Sequence, residues 1–396
     1  MKASRNTYLL TWVHCGAERN LITYKFRLYP TKTQTRLMIE TLETCRLLYN
    51  DLLNDRIENK TKAFEQKRAL TVFRHGNKFL SAVHSQVLQD VVFRLDKAYG
   101  AFYAGLSRYP RFKRKDRYNS FKYPQVGGFK VVEGRLRLSK IGFVRAKFHR
   151  PLEGTPKTCT MIRDIDQWYA CISAETEPIK VESQTGKPVG VDLGVINLAT
   201  LSNGRTFENP RYLDNSATKI MTLQRRLSRK KKGSANREKA KVLLAKTWRK
   251  VRNQRLDVAH KVSTHLTSEY STIVFEDLKI PNMVKNHNLA SAIMDASWGQ
   301  LRRLTAYKAE RRGGRVILVN PSGTSQKCSG CGQTVPKRLE ERTHSCPKCN
   351  LVLDRDVNAA RNILKAGLEQ AHVEGSPLLV QRRRISKFYP KEARSQ

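Results

Sequence analysis

GVDLGVINLATLSNG, residues 190–204, is the stretch on which the fold turns. Its pattern is a buried strand followed by a hairpin, and the first apolar run holds one acid, Asp192. A carboxylate inside a buried strand costs several kcal/mol unless it is paired or holds a cation. Glycines on either side of Asp192 suggest room for the backbone of a ligand. Two more buried strands are expected downstream, at STIVFED (Ser271–Asp277), which carries Glu276 near its end, and RVILVN (Arg315–Asn320).

Between the hairpin and those strands, two long basic helices are expected to meet at a turn around KKKGSAN (Lys230–Asn236). Ile220, Leu223 and Leu227 share one face of the first, and Leu244, Trp248, Val251, Val258 and Val262 one face of the second. After the last strand comes CSGCGQTVPKRLEERTHSCPKCNLVLDRDVNAARNI, residues 328–363. Strand, hairpin, helix, strand, strand and helix, in that order over 183–372, are the RNase H-like arrangement, in which separate elements bring carboxylates to one point of a sheet.

The third carboxylate is Asp354 or Asp356. At 100° per residue, Val357, Ala359, Ala360, Ile363 and Leu364 cluster on one helix face, and Asp356 falls within it. Asp354 points away beside Asn358 and Arg361, and either aspartate could instead be only an N-cap. Asp192, Glu276 and Asp356 are therefore the candidate catalytic triad. Two magnesium ions about 4 Å apart would offset their charge and activate a water for phosphodiester attack.

The four clustered cysteines, Cys328, Cys331, Cys346 and Cys349, form two Cys-x-x-Cys pairs separated by fourteen residues. Each pair is expected to make a knuckle, with the linker folding as a hairpin that closes a tetrahedral zinc ribbon over 325–351. Four thiolates leave no open position, so this zinc is structural. Cys15, Cys45, Cys159 and Cys171 are scattered and suit ordinary reduced thiols. No segment approaches the roughly 18 consecutive apolar residues of a membrane span.

The N-terminal half reads differently. Residues 1–22 lack periodicity and look like an extension. YKFRLYP (Tyr24–Pro30) alternates like a strand that its proline ends, and helical patterns follow from Thr31, with Leu37, Leu42, Cys45 and Leu48 in register, and over Ser85–Leu106, with Leu88, Val91, Leu95, Ala98 and Phe102 on one stripe. Residues 119–181 are short β-rich pieces punctuated by glycine and proline, the pattern of an antiparallel sheet or barrel that could take in the Tyr24–Leu28 strand. Glu175–Val189 is polar and is the best linker, and residues 373–396 look like a disordered basic tail.

With 75 Lys and Arg against 34 Asp and Glu, the chain carries +41 charges, which points to a nucleic-acid partner. Tyr109–Pro124 interleaves cations with rings, and Arg111, Lys113, Arg117, Tyr118 and Phe121 are candidates for phosphate contact and base stacking. Arg225, Arg229, Lys230, Lys231, Lys232 and Arg237, at the tip of the helical hairpin, are candidates for phosphate contact.

YKFRLYPT, YPRFKRKDRYNSF, GVDLGVINLAT, LSRKKKGSANR, VFEDL, TSQKCSGCG and CPKCNLVLDRDVNAARNI together resemble the transposon-encoded TnpB (OrfB) family, compact relatives of the type V CRISPR effectors, from about Tyr24 to the tail. The resemblance implies an RNA-guided, metal-dependent endonuclease that cuts double-stranded target DNA beside a short motif. It would use a guide RNA from its own element and one RuvC-like site. It further implies that 23–182 is a wedge β-barrel with a helical recognition insert at about 31–110, that the ribbon belongs to a target-strand-loading insertion, and that the setting is prokaryotic cytoplasm, nucleoid-associated when bound to DNA. The main alternative is a non-cleaving DNA-binding transposition accessory or repressor. A strand-transfer transposase lacks an identifiable end-joining site, and a ribosome-type RNA binder leaves the carboxylates without purpose.

Overall fold

The computed structural model of the chain describes residues 20–177, 186–338 and 340–373. The expected tail lies outside these residues from 374 onward, as does the expected extension up to residue 19. Asn20–Ile22, assigned to that extension, instead begin the first strand. The chain divides into two compact units, the first taking in the described residues up to 177 and the second those from 186 to 373.

In the first unit, β1 (Asn20–Tyr29) is followed by α1 (Lys32–Glu58), α2 (Ala63–Gly76), α3 (Lys78–Ser81) and α4 (Ser85–Tyr103). Pro30 stops the strand, and Thr31 starts the helix through a capping box. Its hydroxyl accepts from the Gln34 N–H at 3.2 Å, and Gln34 Oε1 accepts from the Thr31 N–H at 3.0 Å. Then come β2 (Ser120–Tyr123), β3 (Phe129–Val132), β4 (Arg135–Leu138), β5 (Gly142–Lys147), β6 (Thr155–Asp164) and β7 (Gln167–Thr176). They pair with β1 in one seven-stranded sheet of order β2-β6-β7-β1-β5-β4-β3. Every pairing is antiparallel. The order is open, a half-barrel with β2 and β3 at its edges, in place of the closed barrel that the resemblance implies. One core holds sheet residues Phe26, Phe121 and Met161 together with helix residues Leu53, Leu88 and Leu95. The α4 stripe departs from the expected one at its end, where Tyr99 is buried while Ala98 and Phe102 are only half-buried.

The expected linker is shorter than read, since Glu175 and Thr176 close β7, and Lys187 opens β8 (Lys187–Asp192). The rest of it falls mainly outside the described residues. The second unit continues with β9 (Asn197–Leu201), β10 (Thr206–Glu208), α5 (Asp214–Ser228), α6 (Ala235–Glu269), β11 (Tyr270–Glu276), α7 (Ile280–Met283), α8 (His287–Ala296), α9 (Trp298–Arg311), β12 (Arg315–Val319), β13 (Thr343–Ser345), β14 (Val352–Asp354) and α10 (Arg355–Val373). Its main sheet has the order β10-β9-β8-β11-β12. β8, β11 and β12 run parallel, β9 folds back antiparallel to β8, and β10 antiparallel to β9.

Alternation along the strands assigns the two faces of this sheet. Val189, Val191, Ile273 and Phe275 share a core with Val262 and Leu266 of α6, Ile293 of α8 and Leu301 of α9. Val274 and Val319 point the other way and pack with Ile363 of α10. The helices α7–α9, over residues for which no element was foreseen, thus complete one apolar layer. The expected stripe on α6 fails at Trp248, which is 38% exposed while Arg249 is buried. That half of α6 packs against α5, which buries only Ile220 and Leu223, so there is little surface to cover the indole.

Candidate carboxylate site and cysteine centre

A Cβ added to Gly190 would stand 2.0 Å from the Ala360 carbonyl oxygen, so α10 lies directly on the backbone of β8. Helix and strand periodicity then do the rest. Asp192 lies two residues beyond Gly190 on the same strand face, and Asp356 lies one turn before Ala360 on the same side of the helix. Val191 pairs with Phe275, so Glu276 ends β11 beside Asp192. Glu276 also shares a face with Val274, against which α10 packs through Gly367. The glycine beside Asp192 therefore makes room for a helix of the chain itself, where a ligand backbone was expected. Gly194, on the other side, is crowded by the Asn197 carbonyl oxygen at the hairpin.

Asp192 feels the charges of both other carboxyls. Burial, followed by the charges of Glu276 and Asp356, pushes Asp192 up to about 8, with Arg355 pulling the other way. Burial also raises Glu276, opposed by the hydrogen bond from Thr324. Burial and Asp354 raise Asp356, opposed by Arg342 and Arg355. Arg342 Nη1 lies 3.6 Å from Asp356 Oδ1. Asp354 itself is exposed and caps α10, its Oδ1 accepting from the N–H groups of Asp356 at 2.8 Å and Val357 at 3.1 Å. A half-buried cluster of hard oxygen donors with surplus negative charge suits a magnesium-type cation. Asn358, expected to point away with Asp354, is instead fully buried.

The cysteines converge more tightly. All four sulfurs lie within 4.8 Å of one another, the one such group of metal-binding side chains among the described residues. Cys328 Sγ to Cys349 Sγ and Cys331 Sγ to Cys346 Sγ are each 3.5 Å, near the about 3.8 Å that a tetrahedron of thiolates about 2.3 Å from zinc requires. The two knuckles repeat one pattern. The Gly332 N–H donates to the Cys328 carbonyl at 2.9 Å, and the Asn350 N–H to that of Cys346 at 3.0 Å. The linker does not fold into a hairpin of its own, as expected: its last residues, β13, pair with β14 across the second knuckle, and a single bridge, Lys327 to Thr334, spans the first.

The candidate nucleic-acid residues divide. Arg111, Arg117, Arg225, Arg229, Lys230, Lys231 and Lys232 are exposed. Tyr118 and Phe121 are 8% and 1% exposed, so neither ring can stack on a base, a correction with two causes: β2 turns Phe121 inward, and Tyr118, ahead of that strand, packs beside the Tyr49 ring. The exposed rings of that segment are Tyr109 and Phe112. Lys113 is half-buried, with its ammonium 5.3 Å from the Tyr49 ring centre, and burial lowers its pKa. Arg237 is held by the structure, since its Nη1 donates to the carbonyls of Leu227 at 2.7 Å and Lys230 at 2.9 Å and so closes the α5–α6 turn. Thr324, Asn358 and Asn362, beside the carboxylates, were not foreseen. A carboxamide pair at i, i+4, with Asn358 buried and Asn362 half-buried, has no composition signal, because its partners are backbone groups.

Residues 171–287 match the IS605 OrfB family, described as a probable transposase, and residues 298–363 match a Cas12f1-like TNB domain. Residues 20–62 match a helix-turn-helix domain, although here they form one strand and one long helix. A Streptomyces pristinaespiralis protein named "Putative RNA-guided DNA endonuclease" is 38% identical, over 87% of this chain and 89% of its own length. The Escherichia coli K12 protein named "Putative RNA-guided DNA endonuclease InsQ" is 34% identical, over 88% of this chain and 93% of its own. A Cas12f1 chain solved with sgRNA and target DNA superposes with a TM-score of 0.54 at 13% identity, covering 87% of this chain and 98% of that one, a likeness of fold. Identity of 38% sustained along 87% of its length makes this chain a member of the TnpB-like OrfB (IS605) family.

Proposed function

We propose that this chain is an RNA-guided endonuclease that hydrolyses DNA at Asp192, Glu276 and Asp356. The observation that carries the reading is the set of three carboxyls, from the ends of two parallel strands and the first turn of a helix, whose proton affinities are raised by burial, with Asp192 raised further by the charges of its two neighbours. Sheet order β10-β9-β8-β11-β12 supports an RNase H-like, RuvC-type domain in the second unit. Magnesium bound there would neutralise the developing phosphate charge and supply an activated water. Asp192 and Glu276, on the ends of buried strands, would hold the cations rigidly. Asp356 would close the set from α10. The four cysteines fit a structural zinc, which takes no part in the chemistry.

The guide RNA and target DNA come to this chain from its named relatives, and +41 charges suit two nucleic-acid partners. We assign the first unit to a wedge-type half-barrel with a helical insert and the second to the nuclease and its ribbon. The experiment is expression with the native downstream flank, sequencing of copurified RNA, and cleavage of a DNA target matched to it. One discrete RNA ending past the element boundary is expected. Asp192→Ala, Glu276→Ala and Asp356→Ala should each slow cleavage by about a thousandfold or more while target binding persists. Cutting by Asp192→Ala would sink the nuclease reading. Loss in Asp354→Ala with activity in Asp356→Ala would reverse the choice of aspartate.

A further inference from the structure

Thr324 is 7% exposed, and its hydroxyl stands 2.5 Å from Glu276 Oε1 and 3.0 Å from the Pro321 carbonyl oxygen. A hydroxyl has one proton to give, and a carboxylate is a stronger acceptor than an amide carbonyl, so the donation goes to Glu276. The chain reaches this point by a short return. Glu276 pairs with Val319 at the end of β12, and the Asp277 N–H donates to the Val319 carbonyl, so the chain leaves the sheet beside Glu276. Gly323, at φ +79°, turns it back and presents Thr324 to the carboxylate. On the main-chain side, Arg302 Nη1 donates to the Glu276 carbonyl oxygen at 2.9 Å, so backbone and side chain are pinned from different elements.

The loop that carries Thr324 is itself clamped. Asn362 Nδ2 donates to the carbonyls of Thr324 at 2.8 Å and Lys327 at 2.7 Å. Asn358 Nδ2 donates to the Lys327 carbonyl at 2.8 Å, and its Oδ1 accepts from the N–H of Ser329, inside the first cysteine knuckle, at 2.9 Å. The two asparagines stand one turn apart on α10, and Asn358 is two residues beyond Asp356. Burying a carboxamide is costly unless its groups are paired, and Asn358 pairs with backbone groups of this one loop. The loop thus touches both the side chain of Glu276 and the helix that presents Asp356.

We propose that Thr324 is a positioning residue for Glu276, and that Asn358 and Asn362 hold it in place by clamping the loop entering the cysteine knuckle to α10. What Glu276 then does rests on the nuclease reading above.

The test uses the full chain with its guide RNA and compares Thr324→Val, which keeps the shape, with Thr324→Ser, which keeps the hydroxyl. Two quantities are read: single-turnover cleavage across a magnesium titration, and manganese binding measured directly by electron paramagnetic resonance without DNA. Thr324→Val should weaken manganese binding and slow cleavage by about ten- to a hundredfold, the range for losing a partner of a metal-ligating carboxylate. It should still melt cooperatively and bind target DNA as wild type does. Thr324→Ser should restore both, and Asn362→Ala should move them in the same direction by less. Wild-type manganese affinity in Thr324→Val, or equal defects in the Val and Ser variants, would overturn the proposal. Asp192→Ala, run alongside, separates the two ideas, since its cutting would refute the nuclease reading while the manganese titration still decides the role of Thr324.

Discussion

Asp192 is held where an ionised carboxyl is least at ease. Its value of about 8 in the folded chain stands above the about 3.9 of an unfolded one. The folded state therefore keeps this proton longer, and the stability linked to it is full below about pH 4 and lost progressively up to about pH 8. In EDTA, Asp192→Asn should melt higher than wild type at pH 8.5, with the gap narrowing toward pH 5, as differential scanning fluorimetry would show. An Asn variant that melts lower at every pH would mean that the charge is already compensated within the protein. At this scale the sequence was legible where chemistry is unusual, as at an acid in an apolar strand. It was not legible for Tyr118 and Phe121, because a ring beside cations looks alike whether it packs inward or meets solvent. β2 alternates its faces, and that alone sends Phe121 and Tyr123 into the core.

Among the elements, α10 depends most on a single position. Its carbonyl at Ala360 and its N–H at Leu364 sit where a Cβ on Gly190 would be, and both are backbone groups that cannot swing aside. Gly190→Ala should cost about 3 kcal/mol or more, read from urea melts, because helix and strand must separate. Gly204→Ala, where nothing stands within 4 Å but φ is +92°, should cost only about 1 kcal/mol. Equal costs would mean that the helix shifts freely on the sheet. The expected strands β1, β8, β9, β11 and β12 and the α5–α6 hairpin were readable from apolar runs and turn residues. The helices α7–α9 were not foreseen, and neither was the hydrogen bonding of the cysteine linker, since both are fixed by what they pack against.

For the molecule as a whole, the excess of 75 basic over 34 acidic residues is the dominant long-range feature. Lys230, Lys231 and Lys232 are exposed at the tip of the α5–α6 hairpin. Replacing all three by alanine should reduce the slope of log affinity against log salt for nucleic acid by up to about 2.7, at about 0.9 for each phosphate that a lysine no longer neutralises. An unchanged slope in a binding titration would mean that the tip is a solvated end that touches no phosphate.

The sequence by itself determined the family, the four-cysteine cluster and most of the strand order. Each of these is written in local spacing, as two Cys-x-x-Cys pairs, as alternation along a strand or as a motif a few residues long. It also named the three acids, one at a time. Only the tertiary structure decided that they lie on one face. That depends on a glycine of β8 admitting the backbone of α10, a contact between residues 190 and 360 that no local pattern records. The same holds for Thr324 and Asn358, whose partners are a distant carboxylate and the main chain of a distant loop. A side chain whose partner is defined by packing acquires its role only when the sheet and the helix meet.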